Sequence, residues 1–310
     1  MFGYAAKRLA LAVPTILGVV TVVWLLLHLM PGDPVDVMLG ETAARADRVA
    51  LRRELGLDRP LAEQYLSYLT GLAKGDLGRS VYARKSVASL VAERVPATLL
   101  LTLASLLVAI LVAVPAGLIS AVRRDGVFDN TTLVASLAGV AIPNFWLGPM
   151  LIIGFSIQLG WLPVAGAGSP AHLVLPALTL GVSAAGILTR MTRAAVLETL
   201  GEDYVRTARA KGLGEALILK RHALRNAATP LLTLLGLQFG SLLSGSVITE
   251  TIFAWPGIGR LVVDGIYTRD YPVVQGCVLV IALGYVLVNL ATDLAYAWVD
   301  PRIRYGDDGA

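Results

Sequence analysis

Six stretches of the chain contain no aspartate, glutamate, lysine or arginine: 10–30, 97–122, 130–160, 173–189, 227–249 and 274–292. A bilayer core about 30 Å thick is crossed by roughly 20 residues of α-helix, and lipid offers an unpaired backbone nothing to bond. Charge-free runs of this length restrict the chain to an all-α integral membrane protein with about six transmembrane helices. Composition agrees: 56% of residues are hydrophobic, only 15% are charged and mean hydropathy is +0.70, whereas a soluble domain carries about 25% charged residues. Lys7 and Arg8 ahead of the first run resemble the start of a signal peptide. The run is longer than the roughly 7–15 residues of such a segment and lacks a convincing cleavage site, so it is expected to remain as a span.

An even number of spans puts both termini on one side, and cytoplasmic loops collect Lys and Arg. On the termini's side fall Lys7, Arg8, Arg123, Arg124, the series Arg190, Arg193, Arg206, Arg209, Lys211, Lys220, Arg221 and Arg225, and then Arg302 and Arg304; the opposing short loops hold Arg260 and Arg269. Both termini are therefore expected in the cytoplasm. The formal charge of +4 and pI near 9.3 record topology rather than a nucleic-acid partner. The resulting plan is a cytoplasmic N-terminus and first helix at 1–30, and an external region at 31–96. A five-helix core follows at 97–298, with a cytoplasmic loop at 194–226, and a cytoplasmic tail at 299–310. Cys277 lies in an apolar run, as a buried small hydrophobe would.

The external region is expected to be partly helical. Asp58 and Pro60 make a start signal, Leu61, Tyr65, Tyr68, Leu69 and Leu72 follow helical spacing, and Gly71, Gly75 and Gly78 then break the pattern. Such a helix serves first as a cap on the outer ends of the spans, with docking of an external partner as a second use. Between the fourth and fifth apolar runs lies the basic segment DYVRTARAKGLGEALILKRHALRN, Asp203 to Asn226. Glu202 and Asp203 suit a helix N-terminus and Gly212 its stop, and a second helix is expected to restart near Glu215. A plain topological loop is the usual fate of a charge run, but such a loop has no need of ordered start and stop signals. The spacing predicts a helical elbow held in water.

TARAKGL, with Ala208 and Gly212 four apart, resembles the EAA loop of bacterial ABC importer permeases, whose short coupling helix fits a groove on the ATP-hydrolysing subunit. Thr207 and Arg209 around Ala208 depart from the general pattern and look like the dipeptide and oligopeptide branch. The wider string LGEDYVRTARAKGL, MPGDP at Met30–Pro34, LGLDRPLAEQYLSYL at Leu55–Leu69, GDLGRS at Gly75–Ser80, ETIFAWPGIGRL at Glu250–Leu261, RDYPVVQG at Arg269–Gly276 and DPRIRYG at Asp300–Gly306 are similar to the B-type permease of that branch. Together they cover nearly the whole chain. The resemblance implies a type I ABC importer permease fold in a bacterial inner membrane. It also implies a second homologous permease subunit, two ATP-binding subunits that hold ATP and Mg, and an extracytoplasmic solute-binding protein. Coupling is expected to run through Asp203, Tyr204, Arg206, Thr207, Ala208, Arg209, Lys211 and Gly212, with small Ala208 and Gly212 allowing close approach.

The chain itself carries no GxxxxGK[ST] phosphate loop, no HExxH, no GxSxG and no paired-cysteine motif, so it is expected to be no enzyme and to hold no cofactor. In the fifth apolar run Gly236, Gly240 and Ser244 repeat every four residues, a stripe for close helix packing, with Gln238 and Ser241 adding polarity near a translocation path. Pro143, Asn144 and Pro149 predict a kink or break in the third, which can line a cavity. Glu250 and Asp293 stand near the ends of apolar runs, where interfacial hydrogen bonding explains them. An ion-coupled secondary transporter, the competing class, commonly needs midplane carboxylates and repeated halves that the sequence does not display. Short peptides are the first expectation for cargo, with glutathione or a nickel chelate as alternatives. For nickel, His28 and Met30 make a poor ligand set.

Overall fold

The computed structural model describes residues 2–29, 35, 44–54 and 56–299. The MPGDP motif, Leu55 and the DPRIRYG motif lie outside the described residues. The described chain is built of helices, with one isolated bridge between Arg79 and Ser86. Among the described residues five helices are long and apolar enough to span a bilayer, and a pair bent by 101° brings the number to six if it is taken as one span.

In order, the helices are α1 (Phe2–Leu29), α2 (Arg45–Glu54), α3 (Leu61–Ala73), α4 (Val87–Val122), α5 (Val127–Ala141), α6 (Asn144–Leu151), α7 (Ala171–Leu200), α8 (Asp203–Ala210), α9 (Glu215–Ile218), α10 (Leu224–Ile252), α11 (Ile258–Tyr267) and α12 (Tyr271–Val299). Turns of π-helix continue α6 over Ile152–Gln158 and join α9 to α10 over Leu219–Ala223. Apolar runs marked only the middles of these helices: α4 begins ten residues before its charge-free stretch, and α7 carries Arg190 and Arg193 on its last turns.

The expected break in the third span is present and sharper than a kink. Pro143 sterically drives the residue before it out of the helical region, and Ile142 is extended at φ −75, ψ 119. The chain restarts as α6 and turns through 101°. Pro149 then sits inside α6, and the π-helical turns follow it.

Two compact units emerge. The first comprises Met1–Arg8, Leu99–Trp255 and Gly284–Ala310. At its centre α7 packs against α5, α6 and α10. Close approach comes from missing side chains. Gly181 faces the Ser105 carbonyl of α4, Gly186 faces the Ser136 carbonyl of α5, and a Cβ on Gly117 would lie 2.6 Å from Thr192. Without a hydrophobic force between helices in lipid, such van der Waals contact and polar links do the holding.

The second unit comprises Leu9–Thr98 and Pro256–Leu283. Its core gathers Leu27, Val87, Val91, Ile258, Val262, Val273, Val274 and Cys277, all buried. Here α3 lies along α1, with Thr21 and Tyr65 sharing a 2.5 Å hydrogen bond and Trp24 meeting Tyr65 edge to face. These contacts hold α3 to α1. The amphipathic α11 and the short α2 gave no apolar run in the sequence long enough to announce them.

Candidate functional site

The elbow forms where the sequence placed it. Asp203 opens α8 and Lys211 closes it, and Gly212 takes the left-handed conformation at φ +80. The Gly212 N–H donates to the Arg209 carbonyl (2.9 Å) and the Leu213 N–H to the Ala208 carbonyl (3.2 Å). This pair of bonds is the Schellman stop, which satisfies carbonyls that the ending helix leaves open. α9 restarts at Glu215 as expected.

Side chains divide α8 into two faces. Val205 and Ala208 turn inward and form a small buried core with Ile218 of α9, against Leu200. Asp203, Tyr204, Arg206, Thr207, Arg209, Lys211 and Gly212 face out. Ala208, 5% exposed, is small because it packs inside the elbow, and the expectation that it offers an open contact surface does not describe its position. Gly212 is exposed, with no atom within 4 Å of a built Cβ.

Two polar links keep the elbow in one shape. Arg209 donates from Nε and Nη2 to the two carboxylate oxygens of Glu215 at 2.7 and 3.3 Å, bridging α8 to α9. That hydrogen-bonded partner holds the Arg209 pKa above its ordinary value. Asn226 Nδ2 donates to the Tyr204 hydroxyl at 2.7 Å, tying α8 to the first turn of α10. Thr207 Oγ1 donates back to the Asp203 carbonyl (3.0 Å), and Arg206 reaches the Asp203 carboxylate at 3.3 Å.

Sequence reasoning missed the strongest polar feature of this unit. Asp129 on α5 is 1% exposed and accepts from Arg193 Nε at 2.6 Å and Nη2 at 2.7 Å. It also takes the Ser120 hydroxyl of α4 and the Asp125 N–H at 2.9 Å. One carboxylate thereby joins α4, α5 and α7, the last of which leads into α8. The signal was available: Asp129 directly precedes the third charge-free run and Arg193 closely follows the fourth. By sequence alone Arg193 reads only as a topological charge.

The residues expected near a path separate. Gly236 abuts Thr292, and a Cβ on Gly240 would lie 2.5 Å from the Tyr285 ring, so these two glycines seat α12 against α10. Gln238 is buried, whereas Ser241 and Ser244 remain exposed on a membrane helix. Asn144 stands at the first turn of α6, beside the break. Its Oδ1 is buried with no hydrogen-bond partner among the described residues. Glu250 is fully buried and accepts from Ser246 Oγ at 3.2 Å, and Arg8 reaches Asp293 at 3.1 Å. His28 stacks on Trp24 with centroids 3.9 Å apart and donates from Nδ1 to the Trp24 carbonyl at 2.8 Å, a packing role. Met30 lies outside the described residues.

Residues 1–102 match the N-terminal membrane component of binding-protein-dependent transport systems, and residues 113–305 match the inner membrane component of the same systems. The chain belongs to this permease family. The permease is 44% identical over 305 residues to the glutathione transport system permease protein GsiC of Escherichia coli (strain K12), covering 98% of this chain and 100% of that one. The GsiC protein of Pectobacterium atrosepticum matches with the same identity and coverage. Among solved structures, the inward-facing MetNI methionine ABC transporter gives a TM-score of 0.57 at 23% identity, over 69% of this chain and 97% of that chain. The fold is that of a type I ABC importer permease, and the chain is a multi-pass inner membrane permease of the peptide and nickel branch. Family membership sets aside the ion-coupled secondary transporter and makes this chain the permease component of an ABC importer.

Proposed function

We propose that this permease pairs with a second, homologous permease and two ATP-binding subunits to import short peptides delivered by an extracytoplasmic binding protein. Glutathione, itself a tripeptide, is the first candidate cargo, because relatives 44% identical over the full chain are named for it. Both termini and the elbow face the cytoplasm in this reading. ATP and Mg2+ belong to the ATP-binding subunits, and hydrolysis occurs there.

The observation that carries the coupling role is the construction of α8: a short helix with an inward apolar face, a basic outward face and two polar attachments to its neighbours. A loop serving topology alone has no need of that rigidity. Outward-facing Tyr204, Arg206, Thr207, Arg209, Lys211 and Gly212 form the contact with the ATP-binding subunit, while Val205 and Ala208 hold the helix to α9. A displacement of α8 passes to α7, and through the Asp129–Arg193 pair to α4 and α5. Such a displacement drives transport only if the ATP-binding subunits favour one arrangement of the spans over another. The broken helix at Asn144 and the exposed Ser241 and Ser244 face the translocation path or the second permease, where polar groups in a membrane find partners.

The test is reconstitution of the chain with its co-purifying subunits in proteoliposomes. ATP-dependent uptake of glutathione or a dipeptide, stimulated by the binding protein, is the expected result. Uptake driven by an ion gradient without ATP, or ATPase activity indifferent to both ligands, would overturn it.

A further inference from the structure

In the first unit, basic side chains surround one buried joint. Leu118 and Ala121 near the end of α4, Ala195 and Val196 of α7, Leu219 and Ala223 of the π-helical turns, and Ala227 and Leu231 of α10 pack into a single apolar cluster. Arg123 follows Ala121 by two residues, and Lys220 and Arg221 lie between Leu219 and Ala223. Successive residues of a helix turn by about 100°, so Arg225, midway between inward Ala223 and Ala227, stands on the opposite face. All four basic side chains are exposed.

None of the four makes an ion pair among the described residues, because the neighbouring acids are already engaged. Asp125 faces Arg124, Asp129 holds Arg193, Asp203 meets Arg206 and Glu215 holds Arg209. Glu198 and Glu202, exposed at the end of α7 and the start of α8, leave the surface in positive excess. A topological signal asks only that basic residues stay on one side of the bilayer. It has no need to gather them unpaired about one joint. That joint is also a turn of π-helix, a rare form that frequently marks functional sites.

The joint lies at a membrane boundary. The charge-free runs end at 122 on α4 and begin at 227 on α10, so Arg123 and Arg225 stand at the edge of the hydrocarbon. On the turn just inside Arg123, Ile119 and Val122 are 40% and 49% exposed. Cations on the rim with bare apolar surface beneath them match a phospholipid, its headgroup outside and its chains within. A soluble anion or an acidic protein has no use for that apolar surface. Guanidinium groups bond phosphate oxygens in pairs, and a lysine adds a point charge. We propose that Arg123, Lys220, Arg221 and Arg225 seat the headgroup of an anionic phospholipid at the joint between the elbow and α10. The lipid clamps the π-helical turn against the end of α4 and makes the seating of the elbow depend on membrane charge.

The test uses the intact importer complex purified in detergent, with radiolabelled phosphatidylglycerol and phosphatidylcholine of identical chains as probes. Lipid retained per complex is counted after gel filtration, and phosphatidylglycerol is expected to be held in preference. Arg221→Gln with Arg225→Gln lowers its retention roughly 25-fold, about fivefold for each basic group at a charged surface. Lys74→Gln with Lys85→Gln, exposed positions of the second unit, leaves retention unchanged. Arg221→Lys with Arg225→Lys keeps the charge and keeps the lipid, which separates loss of charge from loss of fold. Equal retention of the two lipids, equal retention in the two glutamine variants, loss in the lysine variant, or displacement by inorganic phosphate as readily as by phosphatidylglycerol would each overturn the proposal. No cargo, ATP or binding protein enters the assay, so its failure leaves the proposed function standing.

Discussion

Gly212 and Gly240 resist larger side chains for opposite physical reasons. At Gly212 there is open space, and what matters is φ +80. A residue in that left-handed region costs about 1–2 kcal/mol, asparagine least among those with side chains. Gly212→Asn is therefore expected to transport normally. Gly212→Val is expected to insert in the membrane yet lose the link between hydrolysis and uptake, read as the ratio of ATP consumed to substrate imported. At Gly240 the backbone is ordinary helix, but a Cβ would press on the Tyr285 ring at 2.5 Å. Gly240→Val should destabilise the purified complex by the roughly 1–3 kcal/mol typical of overpacking, read as a lower thermal midpoint, and Tyr285→Ala in the same chain should recover part of it. A normal midpoint with failed transport would return Gly240 to the path. The stripe of small residues was visible in the sequence, whereas its partner helix was not, because nothing in α10 alone says what fills the groove.

Among the elements, α7 has the central place: it packs against α5, α6 and α10 and hands the chain to α8. Its Arg193 is bound to a buried carboxylate. Removing one member of a buried ion pair leaves the other uncompensated, at about 3–5 kcal/mol, while replacing both with apolar groups of similar size can be neutral. Asp129→Ala is accordingly expected to destabilise the complex strongly in thermal unfolding, and Asp129→Leu with Arg193→Met to be milder than either single change. Equal stability of the single variants would mean the pair holds nothing. The start, the stop and the restart of the elbow were legible in Asp203, Gly212 and Glu215, since helix ends are set by local chemistry. The inward turn of Ala208 was not legible. Which face of an eight-residue helix is buried depends on Ile218 and Leu200, which reach it only after the chain has folded back. Likewise Pro143 announced a break, but the 101° turn also depends on what the restarted helix packs against.

At the scale of the whole molecule, orientation can be read with thiol chemistry, because Cys277, the chain's one cysteine, is fully buried. Lys211→Cys is expected to react with a membrane-impermeant maleimide only when the cytoplasmic face is opened, and to be shielded when the ATP-binding subunits are attached. Labelling from intact cells would reverse the proposed topology. The spans were legible as a set because lipid admits few backbone solutions, whereas α2 and α11, outside that constraint, left no comparable trace. The elbow's private core has one more consequence. With Val205 and Ala208 already covered by Ile218, what α8 would present to a docking protein under the proposed coupling role is mostly charged side chains, with Tyr204 among them. Attachment of that kind weakens as ionic strength rises, so concentrated salt should peel the motor subunits from this permease and leave its membrane-embedded bundle folded behind them.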